Sequence, residues 1–453
     1  MPRHVCIVSL TRVSEEPRVI RQSIVLRDAG WAVTVAGYRG RSPLPGWWKF
    51  VELVPPGGDA GAGTTGADQT PGATGKRPSF LRRAVARLSN ISRSVSARLK
   101  QRVDSARTAS RRTLAANTWV GAEAYYWSNP LNQSLRDALR DVQADLFIGH
   151  DWYVAPLVAQ LALRTGARYS IDVHEYSREQ YFYEPGSPER KAWESFDQPY
   201  IDNIQKNTLS EASVVTTVCD GIADLLQKDY GLRERPQVIR SVPAYSEQPF
   251  RPASKNIQVL YHGLIRSTRG LDHAIRSLPM WRDEFYLTIR GPGSSEYIEE
   301  LKRLAEEMGV ANRVNFENPK IFDDIIPSAN AADIGYMVLD NYSPQRTFTL
   351  PNKFFEYIMA GLAICVSDLP EMARLVRQHD VGVLVGSTDP DDIARTINSM
   401  TREKIDSFKR ASLVAARTLC LEHEGKLIRD RYEAAFANRS KHRSGQTLIS
   451  ERT

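Results

Sequence analysis

The sequence alternates between short apolar runs and stretches with helical spacing, and it does so in two separate series. In the first series an apolar run at 4–10 leads into a helical stretch that Gly30 ends, and the alternation resumes after residue 144. The second series starts at 257 and continues to VGVLVG at 381–386. Strands that alternate with helices predict a parallel, doubly wound sheet. Two such series in 453 residues predict an α/β protein with two Rossmann-like domains that face a central cleft.

A proline-rich segment without periodicity, residues 233–256, separates the two series. We interpret it as a linker and divide the chain into an N-terminal domain at 1–245 and a C-terminal domain at 246–419. The last residues, 438–453, read as a polar tail. In doubly wound folds, ligands bind at the carboxyl ends of the strands, so function is expected in the cleft between the domains.

The first domain carries an insertion at 56–120 with an unusual composition. Residues 56–75 cannot bury enough apolar surface to fold and are predicted to be disordered. Residues 76–112 contain twelve Lys or Arg and one acid, which makes the whole chain basic at +7. Apolar residues recur in this segment at spacings of three and four, which predicts a basic amphipathic helix. Docking on an anionic membrane surface, packing on the first domain and contact with nucleic acid all remain open; we favour the membrane and expect no nucleic-acid partner.

Several classes of protein are disfavoured by what the sequence lacks. Neither first strand is followed by G-x-G-x-x-G. The loop after the second strand of the second series has only Gly291 and Gly293, which is a weak match to that motif. No P-loop motif occurs either. The four cysteines lie far apart with no His at metal-ligand spacing, which indicates reduced thiols and no metal site. The N-terminal apolar stretch is too short for a signal peptide and no run is long enough to cross a bilayer, so we expect a cytoplasmic protein.

The loop after the first strand of the second domain carries two arginines, Arg266 and Arg269, between Gly263 and Gly270. Glycines allow close approach of the backbone, and arginines beside a helix N-terminus can hold a diphosphate through charge-assisted bonds. A solvated surface loop is the alternative.

Two polar pairs follow neighbouring strands of the first domain, His150 with Asp151 and His174 with Glu175, the latter just after Asp172. A His-Glu pair that leaves a parallel strand can act as acid or base, or orient sugar hydroxyls. Either pair alone could be a capping cluster, but two pairs at neighbouring strand ends favour a site.

The stretch TLPNKFFEYIMAGLAIC at 349–365 joins a polar loop to an apolar helix, and we expect Glu356 in the first turn of that helix. The helix dipole alone explains an acid at that position. It leaves the loop with Asn352 and Lys353 unexplained. Free amides at a helix N-terminus beside Lys353 form an anion site, next to a carboxylate that can accept hydrogen bonds from ribose hydroxyls. Loop and carboxylate together predict a nucleoside diphosphate site.

These motifs resemble glycosyltransferase family 4, whose members are retaining sugar-nucleotide transferases of the GT-B fold. LPNKFFEYIMAGLAICVSDLPE resembles the family's donor-site signature, in which Glu356 and Gly361 match the acid and the glycine that closes its helix. HGLIRSTRGLDHAI is similar to the family's G-R-L-x-x-x-K-G loop, with Arg269 in the Lys position and Leu264 in the Arg position. The likeness covers nearly the whole chain except 56–120 and the tail.

The resemblance implies a GT-B fold whose last helix, at 420–437, returns to the N-terminal domain. It implies transfer of a hexosyl unit, with retention, from a nucleoside diphosphate sugar to a lipid-linked or cell-surface polysaccharide acceptor. The cationic residues and the helix N-terminus would stabilise the leaving group, so no metal or other cofactor is expected. The implied residues are His174 and Glu356 for catalysis, Gly263, Arg266, Arg269, Gly291, Asn352, Lys353 and Glu356 for the donor, and His150, Asp151 and Glu175 for the acceptor side.

One position departs from the family pattern. The usual motif is E-x7-E, and Phe348 stands where the first Glu is expected. That Glu contacts the transferred sugar in many members, so the donor sugar stays open, and Asn352, Lys353 and the backbone near Thr349 are expected to cover its role. Two alternatives also stay open: a sugar-nucleotide epimerase of similar fold, and a non-enzymatic membrane-surface protein with a degenerate donor site.

Overall fold

The computed structural model describes residues 2–54, 107–179, 183–184 and 186–437. Two parallel sheets, each flanked by helices, organise these residues. The first sheet has the order β3-β2-β1-β4-β5-β6-β7, with strands β1 His4–Arg12, β2 Ala32–Tyr38, β3 Lys49–Glu52, β4 Leu146–His150, β5 Arg168–Val173, β6 Val214–Thr217 and β7 Gln237–Val238. The second has the order β10-β9-β8-β11-β12-β13, with strands β8 Ile257–His262, β9 Phe285–Arg290, β10 Val314–Glu317, β11 Ile334–Met337, β12 Ala363–Ser367 and β13 Gly382–Val385.

Most of the helices connect these strands as crossovers, and the last three follow β13. Before β8 they are α1 Pro17–Asp28, α2 at 107–117, α3 Trp119–Ser128, α4 Pro130–Ala138, α5 Ala155–Thr165, α6 Pro188–Ala192, α7 Gln198–Glu211 and α8 Asp220–Tyr230. After β8 they are α9 Leu271–Ser277, α10 Ser295–Glu307, α11 Ile325–Ala329, α12 Pro344–Thr347, α13 Asn352–Met359, α14 Pro370–His379, α15 Pro390–Asn398, α16 Arg402–Ala416 and α17 Leu421–Ala437.

The expected pair of doubly wound sheets is confirmed. The central strands are buried on both faces, as near-continuous apolar runs require: Val5 to Val8 of β1 and Ile364 to Val366 of β12 are fully buried. Two strands escaped the sequence reading. β3 is an edge strand of four residues, and β7 is a strand of two residues inside the segment interpreted as a linker.

The last helix, α17, packs back on the N-terminal domain, as expected from the resemblance. Ile428 and Tyr432 belong to the same apolar core as strands β1 and β2. The Tyr432 hydroxyl accepts a hydrogen bond from Gln22 of α1 at 3.2 Å. At the start of the helix, the backbone N–H of Arg240 donates to the buried Glu424 carboxylate at 2.9 Å.

Most of the insertion lies outside the described residues. This includes residues 76–106 of the basic helix predicted for 76–112. The tail at 438–453 also lies outside them. Within the described end of the insertion, the guanidinium of Arg112 lies 4.0 Å from the centroid of the Phe196 ring. The four cysteines are free and buried. Across the described ranges, we find no helix with the length and apolarity that crossing a membrane requires.

Candidate active site

Two glycines bring the loops after β8 and β9 together at the floor of the cleft. Gly263 has φ +118° and Gly291 has φ +152°, both in the region that favours glycine. A Cβ on Gly291 would lie 1.9 Å from the carbonyl oxygen of Gly263, and a Cβ on Gly263 would lie 2.8 Å from Lys353 Nζ. Larger residues at either position would push the two loops apart and displace the lysine.

Lys353 and Arg269 concentrate positive charge beside these glycines. The Lys353 ammonium lies 4.0 Å from the centroid of the Tyr261 ring. Burial, together with the charge of Arg269, lowers the pKa of Lys353 to about 7. Burial also lowers the pKa of Arg269, whose Nε has no hydrogen-bond partner among the described residues. Two partly desolvated cations with an unused donor fit an anionic ligand.

Glu356 lies deeper in its helix than the sequence reading expected. Helix α13 begins at Asn352, so Glu356 is its fifth residue and no acid stands in the first turn. The expected first-turn position is therefore wrong, and the helix dipole does not account for this carboxylate, since its effect is confined to the terminal turn. Pro351, the N-cap residue, offers no side-chain bond, which leaves the first amides of α13 without a side-chain cap.

Glu356 is buried between groups from both domains. Its Oε2 is 2.9 Å from Nε2 of His262, the last residue of β8. Its Oε1 lies 3.9 Å from Nη2 of Arg21, which belongs to α1 of the first domain. Burial alone would raise the pKa of Glu356, but the His262 hydrogen bond and the charges of Arg21 and Lys353 outweigh it and lower that pKa. The carboxylate is therefore ionised at neutral pH and able to accept hydrogen bonds.

Asp172 organises the opposite wall of the cleft at the end of β5. Arg18 of α1 binds it with two hydrogen bonds, Nε to Oδ2 at 2.8 Å and Nη2 to Oδ1 at 2.7 Å. Thr216 donates to Oδ1 at 2.6 Å, and His174 Nε2 lies 3.2 Å from Oδ2. Burial would raise the pKa of Asp172, but Arg18 and His174 hold it well below the usual value.

His174 is the charged histidine of this wall. Its backbone N–H donates to Asp151 Oδ1 at 2.8 Å, and Asp151 adopts φ +64° to receive it. Burial works against the charge, but Asp151 and Asp172 outweigh it and raise the pKa of His174 to about 9. His174 therefore carries a proton at neutral pH.

His150 differs from His174 in both environment and charge. It is buried behind His174, with ring centroids 4.8 Å apart, and its Nε2 lies 3.0 Å from Gln22 Oε1. Burial and the charge of His174 lower the pKa of His150 to about 3. A neutral, buried His150 supports His174 from behind, whereas His174 and Asp151 are partly exposed to the cleft.

Gln345 spans the cleft from the second domain to the first. Its Oε1 accepts from the Tyr176 backbone N–H at 2.6 Å, and its Nε2 donates to the Glu175 carboxylate. Burial and the charge of Asp151 raise the pKa of Glu175 to about 7, while Arg269 opposes that rise. Glu175 is thus brought near the cationic loop of the second domain.

Phe348, at the position where the family pattern has its first Glu, lies in a domain contact. A Cβ on Gly221, at the start of α8, would lie 2.0 Å from the Phe348 ring. The Phe348 carbonyl oxygen is 3.1 Å from Cys219 Sγ. Next to it, the Gly221 N–H donates to Glu371 Oε1 at 2.7 Å. This side chain therefore joins the domains through packing.

The remaining residues singled out from the sequence are placed as follows. Arg266 and Leu264 are exposed on the loop after β8. His150, Asp172 and His174 offer ligand atoms within 4.8 Å of one another, a spacing a metal could use. Both Asp172 oxygens, however, already accept hydrogen bonds from Arg18, Thr216 or His174. The absence of a metal from the mechanism stays a prediction.

Sequence reasoning missed residues that hold each wall in place, Arg18, Gln22 and His262, and residues that join the two walls, Arg21 and Gln345. Arg18, Arg21 and Gln22 lie on the buried face of α1, and His262 and Gln345 lie on elements already noted for other residues. The signal was present in PRVIRQ, where two arginines stand three residues apart in a helix whose apolar Val19 and Leu26 are buried. Buried arginines call for buried partners.

Two family models match the chain, one on each domain. "Glycosyl transferase 4-like domain" matches residues 21–242, and "Glycosyl transferases group 1" matches residues 256–403.

Curated relatives match part of the chain. A D-inositol 3-phosphate glycosyltransferase of Mycolicibacterium gilvum is 28% identical over 192 residues, which cover 42% of this chain and 41% of the relative. An uncharacterised glycosyltransferase of Haemophilus influenzae is 24% identical over 220 residues, covering 46% of this chain and 58% of the relative. In these matches the chain spans about two fifths to three fifths of the relatives' length.

Solved structures match over nearly the full length. The sucrose-phosphate synthase of Thermosynechococcus elongatus has a TM-score of 0.64 at 12% identity, covering 96% of this chain and 99% of the other. Anabaena HepE in complex with UDP-glucose has a TM-score of 0.60 at 12% identity, covering 95% of this chain and 100% of the other. At this identity the structures establish the fold. The two family models together span most of the chain, and with the fold seen in these structures they show that the chain belongs to the family 4 glycosyltransferases, which have the GT-B fold.

Proposed function

We propose that this protein is a glycosyltransferase that moves a sugar from a nucleoside diphosphate sugar to an acceptor bound by the first domain. The observation that carries the proposal is the grouping of Lys353 and Arg269 with the loops at Gly263 and Gly291, within electrostatic reach of the ionised Glu356. A pyrophosphate placed there would be neutralised by both cations while the carboxylate accepts from a ribose hydroxyl. The nucleotide in the HepE complex of the same fold supports this choice of donor.

The reaction we propose breaks the bond between the anomeric carbon and the diphosphate oxygen. It forms a bond from that carbon to an acceptor hydroxyl oxygen, whose proton passes to the departing diphosphate. Negative charge grows on that oxygen in the transition state, and fixed cations in a partly dry pocket stabilise it strongly. Lys353, with its pKa near 7, takes up a proton as the diphosphate binds, because the new negative charge favours its ionised form. Arg269 and the uncapped amides of α13 add to this, so the proposal needs no metal.

His174 faces the cleft as a charged group held by Asp151 and Asp172. We place the transferred sugar beside it, where the imidazolium donates a hydrogen bond to a hydroxyl. In keeping with the family, we propose that the anomeric configuration is retained.

For the acceptor, we propose a lipid-linked or glycan molecule met at an anionic membrane surface. Support comes from sequence alone: residues 76–112 carry a net charge of +11 in a chain of +7, so the remainder is acidic and would be repelled by anionic lipid. Vesicle flotation should show binding that requires anionic lipid, weakens with salt and is lost when 76–112 is deleted. Flotation of the deletion variant at the wild-type level would refute the membrane role.

A phosphorylated cyclitol acceptor is the second candidate, because several of the relatives that match part of the chain are named D-inositol 3-phosphate glycosyltransferase. In that case the acceptor is a small molecule and transfer proceeds without vesicles.

The test is a panel of nucleotide sugars incubated with membranes or with inositol 3-phosphate, with nucleotide release measured for wild type and Glu356→Gln. We expect acceptor-dependent release that the variant lowers sharply while it stays folded. Conversion of the nucleotide sugar into its epimer in the absence of acceptor would indicate an epimerase. Absence of thermal stabilisation by any nucleotide would favour a non-enzymatic protein.

A further inference from the structure

Arg21 is a buried cation that the proposed reaction leaves without a role. It belongs to α1 of the first domain, and 6% of its surface is exposed. Its Nη1 donates to the carbonyl and hydroxyl oxygens of Ser241 at 3.1 and 3.3 Å. Its Nε has no hydrogen-bond partner in the part of the chain that the structure describes. A buried guanidinium with unused donors is costly unless a ligand completes its bonding.

The free side of Arg21 points at the donor carboxylate. Nη2 and Glu356 Oε1 are 3.9 Å apart, which is an ion pair but too long for a hydrogen bond. The other Glu356 oxygen is already engaged by His262 at 2.9 Å. The ring centroid of Phe322, from the second domain, lies 6.0 Å from the guanidinium carbon. The gap between Arg21 and Glu356 therefore has a donor on one side and an acceptor on the other.

A hydroxyl oxygen placed to one side of this pair can lie at hydrogen-bond distance from both atoms, because the two atoms are only 3.9 Å apart. Its hydrogen can be donated to Glu356 Oε1, and its oxygen lone pairs can accept from Arg21 Nη2. A carboxylate ligand would be repelled by Glu356 and an ammonium by Arg21, so the pair selects a neutral group that both donates and accepts. Burial lowers the pKa of Arg21 to about 10, which still leaves it charged at neutral pH.

We propose that Arg21 and Glu356 form a hydroxyl site shared between the domains, in which a ribose hydroxyl of the donor nucleotide donates to Glu356 and accepts from Arg21. This inference rests on the proposed function, because it deepens the donor site named there. Arg21 is then a donor-binding residue supplied by the first domain, and ribose binding joins the two halves of the cleft.

The anchoring of α1 supports this assignment. One turn before Arg21, Arg18 binds Asp172 with two hydrogen bonds at 2.8 and 2.7 Å, which fixes the helix against the first sheet. Arg21 is held in turn by Ser241. The guanidinium is thus positioned before the nucleotide arrives, as an effective binding group must be.

The test compares ribose with deoxyribose. Affinities of UDP, GDP and their 2′-deoxy and 3′-deoxy counterparts are measured by calorimetry for wild type, Arg21→Gln, Arg21→Lys and the matched control Arg27→Gln. Arg27 lies on the same helix but pairs with Asp28 on the surface. Arg21→Lys keeps the buried charge, which protects the fold, but lacks the fork that reaches Ser241 and a hydroxyl together.

Wild type and Arg27→Gln are expected to bind the ribonucleotide about tenfold to a hundredfold more tightly than one deoxy counterpart. This ratio of affinities corresponds to the loss of one hydrogen bond to a charged group. Both Arg21 variants should lose most of that preference. A wild-type ratio in both Arg21 variants would overturn the inference and leave Arg21 a structural residue. Nucleotide binding without any ribose preference in wild type would overturn it too, while the proposed function stands. Failure of wild type to bind UDP or GDP would overturn both.

Discussion

Replacement of His262 by leucine should weaken nucleotide binding through Glu356. The hydrogen bond from His262 Nε2 to Glu356 Oε2 is 2.9 Å long, and both side chains are buried. A hydrogen bond to a charged group contributes about 1.5–3 kcal/mol, so its loss corresponds to roughly a tenfold to hundredfold weaker affinity if the carboxylate loses its orientation. His262→Gln keeps a donor and should recover part of that loss.

The same substitution should change the pH dependence of binding. Burial is the largest influence on Glu356 and raises its pKa, while the His262 hydrogen bond leads the effects that lower it. A carboxylate with a depressed pKa is ionised above that pKa and loses its favourable contribution as pH falls through it. Without His262 the pKa moves upward, and the acid limb of nucleotide affinity moves to higher pH.

Calorimetric titration of UDP and GDP from pH 8 down to about pH 4, below the ordinary pKa of a Glu side chain, measures both effects. His423→Gln, an exposed histidine on α17, is the control for loss of a histidine in general. If His262→Leu bound nucleotide with wild-type affinity and with the wild-type acid limb, His262 would not orient Glu356 and the reasoning would be refuted.

Other consequences can be checked on the same protein. Arg269→Ala should weaken a nucleoside diphosphate more than the free nucleoside, and equal losses in a thermal-shift titration would remove its phosphate role. In the folded protein the pKa of His174 is raised from 6.5 to about 9, so its ion pairs stabilise the fold fully below pH 6.5 and lose that contribution as pH rises through 9. The free energy of unfolding, measured with denaturant, should fall over this pH range in wild type and not in His174→Gln. Gly221→Ala places a methyl group 2.0 Å from the Phe348 ring and should destabilise the domain contact by about 1–3 kcal/mol. Phe348→Ala in the same chain should recover the loss, and additive destabilisation would contradict this packing.

The alternation of strands and helices was readable because buried parallel strands are continuous apolar runs, such as IQVLYH of β8. β3 and β7 were missed for a physical reason. An edge strand of four residues, two of them exposed, and a strand of two residues bury too little to leave a pattern. Boundaries that depend on local capping also failed, as the position of Glu356 in α13 shows.

In the site, loops and strand ends could be read from spacing, whereas contacts between distant segments could not. Arg18 and Asp172 are 154 positions apart in the sequence, and an arginine on a helix ordinarily lies in solvent. Phe348 could be recognised as a departure from the family pattern, but its packing on Gly221 requires the arrangement of both domains.

Proton uptake on nucleotide binding tests the central claim most directly. In the free protein Lys353 has a pKa of about 7, so it is mostly neutral at pH 8. A diphosphate beside it should restore its charge, and calorimetry in buffers of different ionisation enthalpy at pH 8 should show uptake of about one proton per bound UDP or GDP. Lys353→Met should bind more weakly and without that uptake. Binding with no proton uptake in wild type, unchanged by Lys353→Met, would contradict a diphosphate site at this lysine.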